Sequence, residues 1–341
     1  MLLDSENRPK RATLNDVAQA AGVSYQTVSR VINDSPQVSP KTRHQVLHAI
    51  ELLGFQPNRA AQALAKRRTF TLEVISFGLD YFGPAQMLSS VEHAAKAQGY
   101  KTMFATIAQM SPTELQTLTD GLAGLVDGVI VIAPITAAAV LPTTTTWRGV
   151  PILQIGNRLG DTIPSAVIDQ FQGSRLATQH LIDLGHRHIA EITGPLEWYD
   201  ALERHQGWRI ALETSRLDAT LYVSGDWTAA GGYRMAQHLL AAGRPFTGLV
   251  VANDQMALGA IQALSHAGLP VPDQVSVVGF DDIPEAAYFV PPLTTVHQDF
   301  AALGAQSVEY LIQLIEAPGT TPYQRVLHPT LVLRQSTAAP R

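Results

Sequence analysis

The 341-residue sequence predicts an α/β protein in two parts: a small all-α helix-turn-helix headpiece at the N-terminus and a body of two Rossmann-like lobes. Residues 13–54 carry apolar side chains at helical spacing, separated by cap and turn residues. From Phe70 onward, short apolar runs alternate with helical segments. Apolar residues make up 46% of the chain, which is enough for several buried cores.

The first two predicted helices are joined by a tight turn. Thr13 followed by Asp16 forms a capping pattern, so a helix can begin at Leu14. Gly22 fits the turn, and Ser24 can cap the second helix. The outer face of that helix carries hydrogen-bonding side chains instead of the usual Glu and Lys: Tyr25, Gln26, Ser29, Arg30 and Asn33. In a helix-turn-helix unit such residues enter the major groove, where Gln can pair with adenine and Arg with guanine. The alternative is a helical hairpin with a polar exterior.

A third helix completes the headpiece, which we place at residues 1–57. Ser39 followed by Pro40 predicts its start, and Gly54 its end. Its expected inner face is Val46, Leu47, Ile50 and Leu53. Residues 58–68 then read NRAAQALAKRR, an alanine-rich linker with a basic end. Such a short segment is not stably helical alone in water, so its helicity should depend on a partner. The alternative is a plain helical connector.

Charge is distributed unevenly between the two parts. Residues 1–68 hold ten Lys and Arg against five acidic residues, a balance of +5, and the remainder carries −10. A basic head on an acidic body favours a phosphate-binding module joined to a sensing module.

Other features exclude whole classes of function. The absence of cysteine excludes disulfides, zinc fingers and thiol catalysis. Residues 1–12 contain no apolar stretch of signal-peptide length, and no run approaches the roughly 20 apolar residues of a membrane span, so we expect a cytoplasmic protein with no membrane partner. The G-x-G-x-x-G, G-x-x-x-x-G-K-[ST] and HExxH motifs are missing where they would be needed. We therefore expect no enzyme, no cofactor and no metal, and we interpret His186 and His188 as structural.

The body, residues 69–341, alternates between predicted strands and helices. The strands are expected at 72–77, 102–107, 128–133, 151–155, 166–168, 188–193, 221–224, 248–252 and 275–280. The helices are expected at 89–98, 112–121, 173–184, 203–213, 229–241, 254–267 and 301–314. Alternation implies parallel sheets covered on both faces, and nine strands suit two sheets better than one. We divide the body into a lobe of about 69–168 with 299–330 and a lobe of 169–298.

Polar residues recur just beyond the predicted strands. Asn157, Asn253 and Asp281 each follow a strand, whereas Arg204 and Trp227 lie in passages between strand and helix. Ligands of parallel sheets bind at the carboxyl ends of the strands, where two facing lobes form a cleft. Polyols need hydrogen bonds from Asp, Asn and Arg and an aromatic face for their C–H side. Any one of these polar residues could instead be a helix cap, and capping is an equal alternative for Asp254 and Asp282.

Several of these motifs resemble the LacI/GalR (lac repressor/galactose repressor) family of transcriptional regulators. They are VSYQTVSR in the headpiece, GHRHIAEITGP and GDWTAAGGY in the body, and the long block that begins VANDQMALGAIQAL. The resemblance covers about 330 residues as traced by such blocks. It implies two lobes of periplasmic-binding-protein type, double-stranded operator DNA as partner and a small sugar effector, with a galactoside-like sugar favoured.

The resemblance also implies roles for individual residues. The residues implied to contact DNA are Thr13, Leu14, Asn15, Ser24, Tyr25, Gln26, Ser29, Arg30, Asn33, Thr42, Asn58, Gln62 and Leu64. Asn58 and Gln62 would contact phosphates, and Leu64 would wedge into the minor groove. The residues implied to bind the effector are Pro84, Met87, Asn157, Trp198, Asp200, Arg204, Trp227, Asn253, Asp281 and Phe300. Trp198 and Asp200 stand where the resembled pocket has two small serines.

The expected assembly is a homodimer. The chain ends five residues after LVLRQS, without the leucine heptads of a tetramerising coiled coil. Two headpieces related by a two-fold axis would read a pseudo-palindromic operator. The resulting prediction is a sequence-specific repressor of a carbohydrate-utilisation operon, released by a sugar inducer. The alternatives are a corepressor-dependent regulator and a periplasmic-type sugar-binding protein without gene regulation.

Overall fold

The computed structural model describes residues 12–32, 35–55, 68–107, 122, 124–134, 146–147, 149–156 and 163–341. These residues fall into two compact units, with the division between Thr69 and Phe70. The first unit is the helical headpiece and the second is the α/β body.

Three helices form the headpiece: α1 (Leu14–Ala21), α2 (Tyr25–Ile32) and α3 (Pro40–Leu52). The capping pattern at the start of α1 is present, because the Asp16 amide donates to the Thr13 hydroxyl at 3.3 Å and the Thr13 amide donates to the Asp16 carboxylate at 2.7 Å. Gly22 ends α1 with a φ of 64°, a left-handed conformation that glycine adopts without a steric cost. The helices enclose a small core built on Val17, Val28 and Val46.

The third helix differs from its prediction in two respects. It ends at Leu52 instead of Gly54, and Leu47 is 52% exposed instead of lying on the inner face. Val46 and Ala49 are buried, with Ile50 packed against them. Because successive helical residues are 100° apart, the face of Val46, Ala49 and Ile50 turns Leu47 outward. Asn33 and the predicted linker contacts Asn58, Gln62 and Leu64 lie outside the described residues.

The body contains thirteen strands and six helices among its described residues. The strands are β1 (Thr71–Phe77), β2 (Lys101–Ile107), β3 (Gly128–Ile132), β4 (Thr146–Trp147), β5 (Val150–Ile155), β6 (Ser165–Ile168), β7 (Ile189–Thr193), β8 (Tyr222–Ser224), β9 (Gly248–Val251), β10 (Ser276–Asp281), β11 (Thr294–His297), β12 (Gln324–Leu327) and β13 (Thr330–Val332). The helices are α4 (Phe82–Ala97), α5 (Gln170–Asp183), α6 (Tyr199–Thr214), α7 (Ala229–Ala241), α8 (Asp254–His266) and α9 (Phe300–Glu316). None of the described helices has the length and apolar character needed to cross a membrane.

These strands form two sheets. The first has the order β12-β6-β5-β3-β1-β2, with β4 antiparallel on β5, and the second has the order β13-β11-β10-β9-β7-β8. Apart from β4 and β13, all pairings are parallel. We call the first sheet with α4 and α9 the first lobe, and the second sheet with α5 to α8 the second lobe. The chain passes between the sheets after β6, β11 and β12, and one buried cluster holds Ile75 of the first sheet and Ile192 of the second.

All nine predicted strands are present, and the predicted α/β class of parallel sheets is confirmed. Four short strands were not predicted: β4, β11, β12 and β13. They have two to four residues each, of which at most two are apolar, so no apolar run marks them. Three helices begin at least three residues earlier than predicted: α4 at Phe82 instead of residue 89, α5 at Gln170 instead of residue 173, and α6 at Tyr199 instead of residue 203. The helix predicted at 112–121 lies outside the described residues.

Candidate functional site

A cavity of about 360 Å³ lies between the two lobes of the body. The first lobe contributes the start of α4, with Tyr81, Phe82, Gly83, Pro84 and Met87. The second lobe contributes Trp198, Asp200, Arg204, Trp227, Asn253, Asp281 and Gln298. Most of these second-lobe residues follow the carboxyl ends of parallel strands, where sheets of this kind place their ligands.

The cavity brings together eight of the ten residues predicted to bind an effector: Pro84, Met87, Trp198, Asp200, Arg204, Trp227, Asn253 and Asp281. Phe300 begins α9 and does not line the cavity, because its ring packs edge-on against Phe82 at a centroid distance of 6.0 Å. Asn157 lies outside the described residues. Sequence reasoning missed Tyr81, Phe82, Gly83 and Gln298. Tyr81, Phe82 and Gly83 were missed because the start of α4 was predicted too late. Gln298 was missed because it follows β11, a short strand that was not predicted.

Four buried side chains form a closed hydrogen-bonded ring behind the cavity. Arg204 donates through Nε to Gln170 Oε1 at 2.9 Å, and Gln170 Nε2 donates to Gln298 Oε1 at 2.8 Å. Gln298 Nε2 donates to Asp281 Oδ1 at 2.6 Å, and this same oxygen lies 3.4 Å from Arg204 Nη2. All four side chains are less than 7% exposed. The bonds from Gln298 and Arg204 both fall on Oδ1 of Asp281, so its Oδ2 can accept a hydrogen bond from a ligand.

The guanidinium of Arg204 is fixed from several sides. Its Nη1 donates to the carbonyl of Ala252, and its planar group stacks on Phe280 at 3.8 Å from the ring centroid. The Trp227 ring lies 5.5 Å away. Stacking and charged hydrogen bonds suit the planar guanidinium better than a lysine. Arg204 therefore supplies a positive charge of fixed position beside the cavity.

Burial alters the acidity of the two cavity carboxyl groups. Burial raises the pKa of Asp281 to about 6, although the nearby Arg204 guanidinium lowers it in part. Burial likewise raises the pKa of Asp200 to about 6, again opposed by Arg204. Both groups are thus ionised for the most part at neutral pH and become protonated under mildly acidic conditions.

Asn253, and not Asp254, caps helix α8. Asn253 Oδ1 accepts from the Met256 amide at 2.9 Å, and its Nδ2 donates to the Trp227 carbonyl at 3.0 Å. Asp254 is fully buried within the second lobe and accepts from the Ile283 amide at 2.9 Å and the Thr295 hydroxyl at 2.6 Å. Burial, followed by the nearby Asp281, raises the pKa of Asp254 to about 8. The Asp254 carboxyl group therefore binds the Ile283 amide and the Thr295 hydroxyl instead of capping α8.

Asp282 does not cap a helix either. The 3-10 turn that follows, Pro284–Tyr288, has Ile283 in the capping position and no side-chain cap. Asp282 instead pairs with Arg334 at 2.6 Å and with His297 at 3.1 Å. The capping alternative was thus wrong for both aspartates, because long-range partners compete successfully for their carboxylates.

Aromatic rings line one corner of the cavity. Trp198 and Trp227 meet edge-to-face at a centroid distance of 5.9 Å, and Tyr81 meets Trp198 in the same manner at 5.2 Å. Trp227 has a φ of 69°, which is unusual for a non-glycine residue, and the hydrogen bond from Asn253 to its carbonyl helps to hold that conformation. Carboxylates, an amide and a guanidinium beside aromatic faces suit a neutral polyol. The described residues contain no group of three or more side chains that could hold a metal ion.

The second candidate surface is the outer face of α2 in the headpiece. Tyr25 is 52% exposed, and Gln26 and Arg30 are exposed beside it, whereas Ser29 is half-buried. Asn15 on α1 is also exposed. This face presents the side chains that were expected to meet base edges.

Other predicted DNA contacts have structural partners within the headpiece. The Ser24 hydroxyl accepts from the Thr27 amide at 3.2 Å, so it caps α2, and the Thr13 hydroxyl belongs to the cap of α1. The Thr42 hydroxyl lies 2.9 Å from the Ser39 hydroxyl, and Leu14 packs against the headpiece core. These residues position the helices whatever else they contact.

A helix-turn-helix unit on the same chain as a two-lobed, cavity-bearing core defines a ligand-responsive DNA-binding regulator. Comparisons with known proteins agree with that class. Residues 13–58 match the family model "Bacterial regulatory proteins, lacI family", and residues 178–337 match "Periplasmic binding protein-like domain". The chain is 36% identical to the lactose operon repressor of Escherichia coli K12 over 332 residues, covering 97% of this chain and 92% of the repressor.

Three further comparisons extend this result. The regulator CelR of Thermobifida fusca is 37% identical over 342 residues, covering 96% of this chain and 99% of CelR. Among solved structures, the lac repressor dimer bound to operator and the anti-inducer ONPF superposes with a TM-score of 0.86 at 35% identity, covering 97% of this chain and 100% of that chain. The CelR–cellobiose complex superposes with a TM-score of 0.71 at 34% identity, covering 96% of this chain and 100% of the CelR chain. The chain belongs to the lacI family of bacterial regulatory proteins, and it is a DNA-binding transcriptional repressor.

Proposed function

We propose that the protein represses a carbohydrate-utilisation operon and that a sugar inducer bound between the lobes releases it from the operator. The observation that carries this proposal is the interlobe cavity, where a fixed Arg204, two carboxylates and aromatic walls meet. This combination suits a polyol with hydroxyl groups on its edges and C–H groups on its faces. Relatives in the family include a lac repressor bound to ONPF and a CelR bound to cellobiose, which supports a sugar over other ligands.

The proposed effector site consists of the eight predicted residues that line the cavity, with Tyr81, Phe82 and Gln298 added. Phe300 supports it from behind through Phe82, and Asn157 remains a proposed contact. A galactoside-like sugar is our first candidate, because the lactose operon repressor is similar over nearly the whole chain. The bulky Trp198 is the strongest reason to test other sugars beside it.

The proposed operator contacts are divided between base reading and phosphate binding. Tyr25, Gln26, Ser29 and Arg30 on α2 would read base edges, and Asn33 would extend this face. A second group of residues would hold the headpiece helices against the DNA phosphate backbone, partly through hydrogen bonds at the helix starts. These residues are Thr13, Leu14, Asn15, Ser24 and Thr42. The linker at 58–68 would contribute Asn58 and Gln62 to phosphates and Leu64 to the minor groove.

The proposed assembly is a homodimer in the cytoplasm, where operator DNA is located. The proposed domains are the headpiece at 1–57, the linker at 58–68 and the body at 69–341, the latter divided into lobes of about 69–168 with 299–330 and of 169–298. In such a dimer, a change in lobe rotation alters the distance between the two linkers across the two-fold axis. An effector needs only a differential affinity for the two states, and a coupling of about 1–3 kcal/mol is typical.

The experiment that tests this function is fluorescence anisotropy on fragments of the promoters next to the gene. A repressor should bind one fragment selectively, lose affinity steeply as salt rises, and dissociate when one sugar of a panel is added. A sugar that raises the affinity for the DNA fragment would be a corepressor instead of an inducer. Absence of binding to all fragments, with and without sugars, would contradict the proposal.

A further inference from the structure

Aromatic rings from both lobes meet at Trp198. In the first lobe, Phe77 and Tyr81 lie 5.6 and 5.2 Å from it between ring centroids. In the second lobe, Trp227 lies 5.9 Å away. Trp198 belongs to the second lobe, directly before α6, and is only 7% exposed. Its indole is therefore both a wall of the cavity and a contact between the lobes.

The backbone around Trp198 is shaped for this contact. Gly78 in the first lobe has a φ of 73°, and a Cβ added there would lie 2.9 Å from Cη2 of Trp198. Glycine thus allows the edge of the indole to approach the first lobe closely. The next residue, Tyr199, donates its amide N–H to the carbonyl of Pro134 in the first lobe at 2.9 Å. Two consecutive residues of the second lobe, 198 and 199, therefore tie it to the first.

The indole also limits the size of the cavity. Its ring lies in the cavity wall between Tyr81 of the first lobe and Trp227 of the second, and its edge lies against Gly78. A small side chain at position 198 would join the cavity to the space beside Gly78 and Phe77. The first turn of α6 also carries Asp200 into the cavity, so this turn both sets its size and supplies a hydrogen-bond acceptor.

We propose that Trp198 is a specificity-determining residue that closes the cavity between the lobes and restricts the effector to a single sugar ring. This inference rests on the proposed function, because it assigns the class of sugar that the same cavity takes. In this proposal a second ring would have to take the space that the indole occupies between Tyr81 and Trp227. Displacement of the indole would also break the aromatic contacts between the lobes.

Calorimetry with matched sugars tests this restriction. The probes are methyl β-D-galactopyranoside against lactose and methyl β-D-glucopyranoside against cellobiose, each titrated into the full-length protein. The wild type should bind the methyl glycoside of the preferred pair at least about tenfold more tightly than the disaccharide, a difference of about 1.4 kcal/mol. Trp198→Ser should bring this ratio to about one or reverse it.

The matched control is Trp208→Phe. Trp208 lies on the same helix as Asp200 and Arg204, is fully buried in the second lobe and does not line the cavity. Its substitution should reduce stability without changing the ratio of affinities, which separates a role in specificity from a role in packing. The proposal is wrong if the wild type binds the disaccharide as tightly as the methyl glycoside, or if Trp198→Ser leaves the ratio unchanged.

Hydrogen exchange without any sugar provides a second, independent readout. Trp198→Ser should accelerate exchange of the Tyr199 amide and also of residues 78–82 in the first lobe, where the Tyr81 amide donates to the Gly78 carbonyl at 2.9 Å. Trp208→Phe should not affect the first-lobe segment. Unchanged exchange at 78–82 would overturn the role of Trp198 between the lobes. Failure of every sugar in the wider panel, these four included, to bind the wild type would instead contradict the proposed function.

Discussion

Arg204 and Asp281 form a buried ion pair at the base of the interlobe cavity, with 3.4 Å between Nη2 and Oδ1 and side chains 5% and 6% exposed. They come from different elements, α6 and the end of β10, and Gln170 and Gln298 complete the ring between them. Removing one partner of a buried pair leaves the other charge uncompensated, which costs far more than loss of a surface pair. Hence the pair shapes the site, and removal of either partner alone should destabilise the body.

Replacing Arg204 with Met keeps most of the side-chain length but removes the charge. We expect the unfolding free energy of the body to fall by about 3–5 kcal/mol, because Asp281 loses its cation. Arg209→Met is the control, since Arg209 lies on the same helix in a surface pair with Glu213 at 3.6 Å. The control should cost less than about 1 kcal/mol. Equal denaturation midpoints for the two variants would contradict the importance of the buried pair.

Effector affinity should depend on pH through the two cavity carboxylates. Asp200 and Asp281 have pKa values of about 6, so both accept hydroxyl hydrogen bonds best above that pH. We expect each carboxylate that the sugar needs in its ionised form to raise the affinity about tenfold between pH 5 and pH 7, since only about a tenth of such a group is ionised one unit below its pKa. Titration calorimetry across this range measures the effect. Asp200→Asn should reduce the slope, and a flat wild-type profile would exclude this role for the carboxylates.

The buried Asp254 should affect stability over a different pH range. Burial raises its folded-state pKa from 3.8 to about 8, so the folded protein holds this proton more tightly than the unfolded chain. The corresponding stabilisation is complete below about pH 4 and is lost as pH rises through 8. Asp254→Asn mimics the protonated acid, because an amide can accept from the Ile283 amide and donate to the Thr295 hydroxyl. Between pH 5 and pH 8, the unfolding free energy should fall less steeply with pH in the variant than in the wild type. Identical slopes would refute the raised pKa of Asp254.

Gln26 should contribute to sequence recognition by the headpiece. It is exposed on α2, and a glutamine there can form two hydrogen bonds with adenine. We expect Gln26→Ala to weaken operator binding by about 1–3 kcal/mol and to relax the preference at one base pair. The control is Gln19→Ala, an exposed residue of α1. Loss of affinity in the control equal to that in Gln26→Ala would indicate a general effect on the headpiece.

Much of the fold could be predicted from sequence because parallel sheets and helix caps leave local signals. The strand β10 has an uncharged, largely apolar run, VVGF, directly before Asp281, so the position of Asp281 at its end could be predicted without coordinates. The same reasoning placed Asn253 and Trp227 beyond their strands. The capping pattern of Thr13 and Asp16 was also a purely local signal, and it is present.

The remaining features depend on contacts between distant parts of the chain. Asp254 accepts from Thr295, 41 residues away, and neither residue carries a local sign of this bond. Gln170 and Gln298 are 128 residues apart. Gln170 begins α5, whose start was predicted three residues too late, and Gln298 follows β11, which was not predicted. Tyr81 and Phe82 were missed for a similar reason, because the Gly and Pro at the start of α4 resemble a loop signal.

The cavity of the body and the DNA-binding face of the headpiece are expected to be energetically coupled. The most direct test measures operator affinity with and without the effector, and effector affinity with and without the operator, in the same buffer. Thermodynamic linkage requires the same factor in both directions, and we expect a decrease of about 5- to 150-fold in each. Operator affinity that does not change at saturating effector, although the effector binds in the cavity, would contradict the account.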